Sequence, residues 1–299
     1  MHPVAPLLLF LAFAAGVVAL IVPVLLAVAW RRRTQVPLRV FFYGMLTFFV
    51  FQPVLRLSWQ APLFHWLGSD PRWHLPMLVF AALTAGVFEE CGRWVAFRYL
   101  LPKRHDAPTA VMLGLGHGGL EAMLLVGVGF LTLGTGYVLA HAGVVVPEGV
   151  QSLIGSQFAG MTLASPFLAL FERASAMAAH VGLSLIVLQA FVRGTKRWLA
   201  YAIAFHFLFD LAVVLLTRYW HVDTVLVEVL LFACSVVLLW LGLRWSRRMT
   251  GGRRGEHGAC GLIGRASSGN QARPPTSPVR YSHAGRLQQN ENAPEPPPR

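Results

Sequence analysis

Seven long apolar runs constrain the fold of this chain more than any other feature. The runs cover residues 4–30, 38–57, 75–101, 108–133, 165–192, 198–217 and 223–245. Each run reaches the roughly 20 residues that an α-helix needs to cross the hydrocarbon core of a bilayer. Only 13% of the 299 residues are charged, which is about half the fraction in soluble domains. The sequence therefore predicts an all-α, polytopic membrane helix bundle of about seven transmembrane helices.

The distribution of basic residues predicts the orientation of these helices. The net charge is +12, and cytoplasmic loops of membrane proteins carry such an excess of Lys and Arg. Basic clusters follow the first, third, fifth and seventh runs: Arg31 to Arg33, Lys103 and Arg104, Lys196 and Arg197, and Arg247 and Arg248. We therefore expect a multi-pass protein of the plasma membrane, with the N-terminus outside and the C-terminus in the cytoplasm. The lipid bilayer accounts for the charge, so nucleic acid is not an expected partner.

The composition changes after the seventh run. Residues 246–299 contain nine Arg and three Glu and are rich in Gly and Pro. Such a segment cannot bury enough apolar surface to fold. We predict a transmembrane domain over residues 1–245, with its site core at 75–214, followed by a disordered basic tail over residues 246–299. Residues 134–164 are predicted to be an outer loop with an interfacial or re-entrant segment, and the Trp- and His-rich residues 58–76 to lie at the membrane interface.

Several ionisable residues, which are costly inside a bilayer, occur together in each of four apolar runs. They are Glu89, Glu90 and Arg93 in the third run, His117 and Glu121 in the fourth, Glu172, Arg173 and His180 in the fifth, and His206 and Asp210 in the sixth. In every run, two of these residues lie four or seven positions apart, a spacing that places them on one helix face. Because lipid does not solvate polar side chains, we expect the four polar stripes to converge on one site.

Glutamate and histidine in a water-poor pocket suit the hydrolysis of a peptide bond. A buried carboxylate can act as a general base toward water, and histidines can stabilise an oxyanion or ligate a metal. Neither a Ser–Lys dyad nor a His-Glu-x-x-His zinc motif is visible, which disfavours the serine and zincin mechanisms. Glu172 and Arg173 are closer to the outer side and are predicted to form a separate structural pair.

The four polar blocks, taken in order, resemble those of the YhfC family of glutamic-type intramembrane proteases. That family is related to PrsW and to the type II CAAX prenyl endopeptidase homologues. The blocks read Glu-Glu-x-x-Arg, Gly-His-Gly-Gly-x-Glu-Ala, Glu-Arg-x-x-Ala and Ala-Ile-x-x-His-x-x-x-Asp. The resemblance covers roughly residues 75–214. It implies an intramembrane endopeptidase that hydrolyses peptide bonds of membrane protein or peptide substrates.

The resemblance also implies roles for the glutamates. Glu89 and Glu90 match the paired glutamates, one of which activates water, and Arg93 occupies the position where relatives have Arg or Lys. Glu121 matches the glutamate of the second block. For His117 and Glu121, helix locking and catalysis remain alternatives at this point.

The histidines of the last two blocks complete the implied site. His180 and His206 match histidines proposed to bind the scissile carbonyl or its oxyanion, and Asp210 stands where CAAX-type relatives often have Asn. The resemblance implies no cofactor and little effect of chelators, although a His/His/Glu set could hold a divalent metal.

Two other functions fit an intramembrane cluster of charged residues. Proton- or metal-coupled transporters also place Glu, His and Arg at mid-membrane, but neither an internal repeat nor a matched pair of broken helices is found in the sequence. A catalytically inactive scaffold that binds transmembrane partners is the third alternative. The sequence does not specify an oligomeric state.

Overall fold

The computed structural model describes residues 4–266, with side chains described up to residue 246. Within this part of the chain there are no strands, and seven helices are long and apolar enough to cross a membrane. In chain order the helices are α1 (Pro6–Thr34), α2 (Arg39–Leu67), α3 (Pro71–Leu100), α4 (Ala107–His141), the shorter α5 (Glu148–Ala159), α6 (Ser165–Val192), α7 (Arg197–Tyr219) and α8 (Thr224–Ala266). The predicted all-α membrane bundle is confirmed.

α2 and α4 are longer than predicted. α2 continues beyond residue 57 to Leu67, and α4 continues beyond residue 133 to His141. Part of each is π-helical, at Val50–Leu57 and at Met123–Val128. Inside a bilayer the backbone has no water to bond, so each helix continues through these positions with locally wider turns.

The ends of the described chain bear on the predicted domain boundary. The described residues up to Gly252 belong to one compact unit, which contains every predicted site residue. The predicted boundary at residue 245 falls inside α8, which remains helical to Ala266. Residues 267–299, which form most of the predicted tail, lie outside the described residues, so the disorder of the tail stays a prediction.

α6 is the central helix of the bundle. Most of its membrane-spanning stretch is buried, and it packs against α1, α3, α4 and α7. Other close helix pairs are α1 with α4, α2 with α4 and α3 with α7. Because α3, α4 and α7 all contact α6, three of the predicted polar stripes lie directly around the fourth.

Glycines let α4 approach α2 and α6 closely. A Cβ atom at Gly116 would lie 1.9 Å from the carbonyl oxygen of Phe41 on α2. A Cβ atom at Gly118 would lie 2.8 Å from the Cδ2 atom of His180 on α6. Both distances are shorter than a carbon contact allows, so only glycine permits this packing. The close approach brings His117 and His180 into the same layer, with ring centroids 5.1 Å apart.

Candidate active site

Glu89 is the centre of the polar cluster. His117 Nε2 lies 2.9 Å from its Oε2 atom, His180 Nδ1 lies 3.8 Å away and His206 Nε2 lies 3.9 Å away. All four side chains are buried. Glu89 lies on α3, His117 on α4, His180 on α6 and His206 on α7. The four predicted polar stripes therefore meet at Glu89 in the structure.

The neighbouring glutamate, Glu90, has different partners. Its Oε1 atom accepts hydrogen bonds from Arg93 Nη1 and from His206 Nδ1, the latter at 2.7 Å. Glu90 and Arg93 are both fully buried. Since Glu90 holds one nitrogen of His206, the other nitrogen is directed toward Glu89. Glu90 thus orients His206 and neutralises Arg93.

His180 is oriented in a similar way by Glu121. Its Nε2 atom lies 2.5 Å from Glu121 Oε2, which leaves Nδ1 on the side of Glu89. Arg93 Nη2 donates to that Nδ1 atom at 2.5 Å and contacts Glu89 Oε2 at 3.5 Å. A carboxylate accepts hydrogen bonds and an arginine only donates them. His180 therefore carries its proton on Nε2, facing Glu121.

The prediction that Glu172 and Arg173 form a separate pair is wrong. Arg173 does pair with Glu172, but its Nη1 atom also donates to Glu121 Oε1 at 2.8 Å. Because Glu121 contacts His180, Arg173 is connected to the central cluster. The length of the arginine side chain bridges the difference in depth on which the prediction was based.

A cavity of about 490 Å³ opens beside Glu89, between the spanning helices. Glu89, Glu121, His180, His206 and Asp210 line it, whereas Glu90, Arg93 and His117 lie behind its wall. The Oδ2 atom of Asp210 is 3.6 Å from His206 Nε2. Of the paired glutamates, Glu89 is therefore the one that a molecule in the cavity can reach.

Comparison with known proteins identifies the family of the chain. A family model described as the YhfC intramembrane metalloprotease matches residues 18–231. The chain belongs to this family. It is 32% identical over 228 residues to the uncharacterized membrane protein YhfC of Bacillus subtilis (strain 168), an alignment that covers 68% of this chain and 83% of that protein. No solved structure matches the chain. The predicted resemblance to the YhfC family is confirmed, and with it a multi-pass protein of an intramembrane protease family.

The description of YhfC proteins as metalloproteases differs from the expected glutamic type, so the fit of the site to a metal is of interest. One ligand atom from each of Glu89, His117 and His180 lies within 4.8 Å of the others. Two histidines and one carboxylate also form a ligand set of catalytic zinc sites, and Glu121 supports His180 as carboxylates support metal-bound histidines. These residues fit a divalent ion, provided that the hydrogen bond from Arg93 to His180 opens.

The sequence analysis missed two polar residues of this YhfC-family site, Gln52 and Arg56 on α2. Gln52 Nε2 donates to Glu89 Oε1, and both residues line the cavity. They lie four positions apart in a run that was interpreted as an apolar span. The same four-residue spacing marked the other stripes, and applying it to Gln and Arg in the second run identifies this fifth stripe.

Proposed function

We propose that the chain is an endopeptidase that hydrolyses a peptide bond of a membrane protein or peptide within the bilayer. The main support for this proposal is the set of side chains that surround Glu89. One of its oxygens faces His117 at 2.9 Å, His180 at 3.8 Å and His206 at 3.9 Å, at the wall of a cavity between membrane spans. Membership in the family of YhfC intramembrane metalloproteases supports the same reaction class.

In the proposed reaction, Glu89 accepts the proton of the attacking water. A carboxylate placed in this way is a general base for hydrolysis. His206 faces the cavity, with Glu90 against Nδ1 and Glu89 and Asp210 near Nε2. Since carboxylates face both ring nitrogens, each nitrogen has an acceptor for an N–H group. The Nε2–H group then donates to the oxyanion that forms as water attacks the carbonyl.

The metal-dependent form of the reaction uses the same residues. His117, His180 and Glu89 would hold a divalent ion, which would supply Lewis-acid activation of water and of the scissile carbonyl. Glu89 then acts as a ligand, and Asp210 is the cavity carboxylate left to accept the proton. Metal analysis of the purified protein, together with hydrolysis before and after chelation, distinguishes the two forms. About one divalent ion per chain and activity lost on chelation indicate the metal-dependent form.

The test of the function compares membrane proteomes of cells that produce the wild-type chain or Glu89→Gln. Peptide fragments present with the wild type and absent with Glu89→Gln identify substrates, which are then cleaved by purified protein in detergent. Glu148→Gln on α5 is the matched control, because Glu148 is exposed and lies outside the cavity. If Glu89→Gln retains full hydrolysis, Glu89 is not the general base, and if the wild type hydrolyses none of the candidate substrates, the protease proposal is wrong. Solute flux by the same preparation, without any hydrolysis, would assign the transporter function instead.

A further inference from the structure

Arg56 is a partly buried cation that forms no salt bridge with any described residue. It lies on the π-helical part of α2 and lines the cavity beside Glu89. Its Nε and Nη1 atoms are shielded from solvent and have no hydrogen-bond partner among the described residues. The other arginine of the cavity, Arg173, is paired with both Glu121 and Glu172.

The carboxylates that line the cavity have other partners. Glu121 and Glu172 are bonded to Arg173, while Glu89 is bonded to His117 and Gln52. Asp210 Oδ2 lies 3.6 Å from His206 Nε2. Shielding guanidinium nitrogens from water without a partner is costly, and a guanidinium group is shaped to bind a carboxylate through two parallel hydrogen bonds. The cavity therefore contains a positive group that is suited to an anion brought by a ligand.

We propose that Arg56 binds a carboxylate of the substrate, either an acidic side chain or a free C-terminal carboxylate. The proposal rests on the proposed function in one respect, namely that the molecule in this cavity is a substrate. It adds a substrate class, namely peptides that carry a negative charge near the scissile bond.

The position of Arg56 indicates how far the negative charge of the substrate lies from the scissile bond. Gln52, four residues earlier on the same helix face, donates to Glu89, so Arg56 lies about one helical turn from the hydrolytic centre. An extended peptide advances about 3.3 Å per residue. The bound carboxylate is therefore expected about two residues from the peptide bond that faces Glu89.

The depth of Arg56 favours a peptide over a lipid headgroup. α2 ends at Leu67, and the eleven residues from Arg56 to that end correspond to about 16 Å of helix. The phosphates of a bilayer lie outside its hydrocarbon core, so Arg56 is well below their level. A transmembrane or membrane-embedded peptide reaches this depth without deforming the bilayer.

The experiment measures binding separately from hydrolysis. Full-length Glu89→Gln protein in detergent is titrated with three fluorescently labelled Leu/Ala transmembrane peptides. One carries a single Glu and an amidated C-terminus, the second carries Gln and a free C-terminal carboxylate, and the third carries Gln and an amidated C-terminus. Fluorescence anisotropy gives each Kd.

We expect one carboxylate peptide to bind roughly 10- to 100-fold more tightly than the neutral peptide, as charged hydrogen bonds predict. Adding Arg56→Gln should abolish this preference, and Arg56→Lys should restore part of it. Arg218→Gln is the control and should retain it, because Arg218 is exposed on the π-helical end of α7 and does not line the cavity.

Equal binding of the three peptides, no binding of any, or a preference that survives Arg56→Gln would overturn the proposal. Loss of co-purified phosphatidylglycerol in Arg56→Gln, with equal peptide binding, would assign Arg56 to lipid and would also overturn it. Hydrolysis by the wild type is assayed separately. A preference for carboxylate peptides without hydrolysis would refute the protease function but not the role of Arg56. Hydrolysis without such a preference would refute the role of Arg56 but not the protease function.

Discussion

Replacing Glu89 and Glu90 one at a time by glutamine should separate chemistry from stability. Glutamine is nearly isosteric with glutamate but is neither a base nor an anion. Glu89 lines the cavity and faces three imidazole rings. Glu90 lies behind the wall, between Arg93 and His206. Glu89→Gln is therefore expected to abolish hydrolysis, whereas Glu90→Gln is expected chiefly to destabilise the fold.

The size of each effect follows from the contacts. Removing one partner of a buried ion pair costs about 3–5 kcal/mol. Arg93 is fully buried and would retain Glu89, at 3.5 Å, as its one carboxylate partner among the described residues, so Glu90→Gln should cost about 3 kcal/mol, the lower end of that range. Losing a general base lowers the rate by about 10²–10⁴-fold, which sets the minimum expected for Glu89→Gln.

The assay is the unfolding midpoint of purified protein in detergent, measured beside hydrolysis of a transmembrane substrate. Glu148→Gln serves as the control in both measurements. The reasoning is refuted if Glu90→Gln leaves the unfolding midpoint unchanged and eliminates hydrolysis, while Glu89→Gln remains active. In that case Glu90 would be the residue that activates water.

Three further predictions concern the histidine, the helix packing and the topology. His206→Ala should lower kcat by a factor on the order of 10²–10³ with little change in peptide binding; an unchanged kcat would exclude oxyanion stabilisation. Gly116→Ala should lower the unfolding midpoint, because its Cβ would meet the carbonyl oxygen of Phe41 at 1.9 Å, whereas Gly149→Ala, with open space around it, should not. A C-terminal fluorescent protein should be bright and a C-terminal alkaline phosphatase inactive, and the reverse would overturn the proposed orientation.

Much of the site could be predicted from sequence because its residues repeat at helical spacing. Four positions along an α-helix return to the same face, so His117 with Glu121 and His206 with Asp210 were recognisable as polar stripes. The partners of each residue were not predictable in this way. Adjacent residues of a helix point about 100° apart, so Glu89 and Glu90 must face different neighbours. Which neighbour each one meets depends on the positions of α4 and α7.

The missed residues have a different physical cause. α2 was interpreted as an apolar span, and Arg56 stood near its predicted end, where interfacial charges are common. In the structure α2 continues to Leu67, which places Arg56 well inside the helix. The boundary error therefore concealed a cavity residue. The connection of Arg173 to Glu121 was missed because depth along a helix axis does not include the reach of an arginine side chain.

Each of the four polar helices predicted from the sequence carries acidic and basic groups together, and this has a consequence for biogenesis. α3 carries Arg93 with Glu89 and Glu90, within one turn. An ion pair on a single helix lowers the cost of moving its charges into lipid compared with separate ions. Such a helix can leave the translocon before its later partners are synthesised. His206, on α7, is the last of the three imidazoles to emerge from the ribosome, so the nascent chain carries an incomplete hydrolytic centre until the sixth spanning helix has been made.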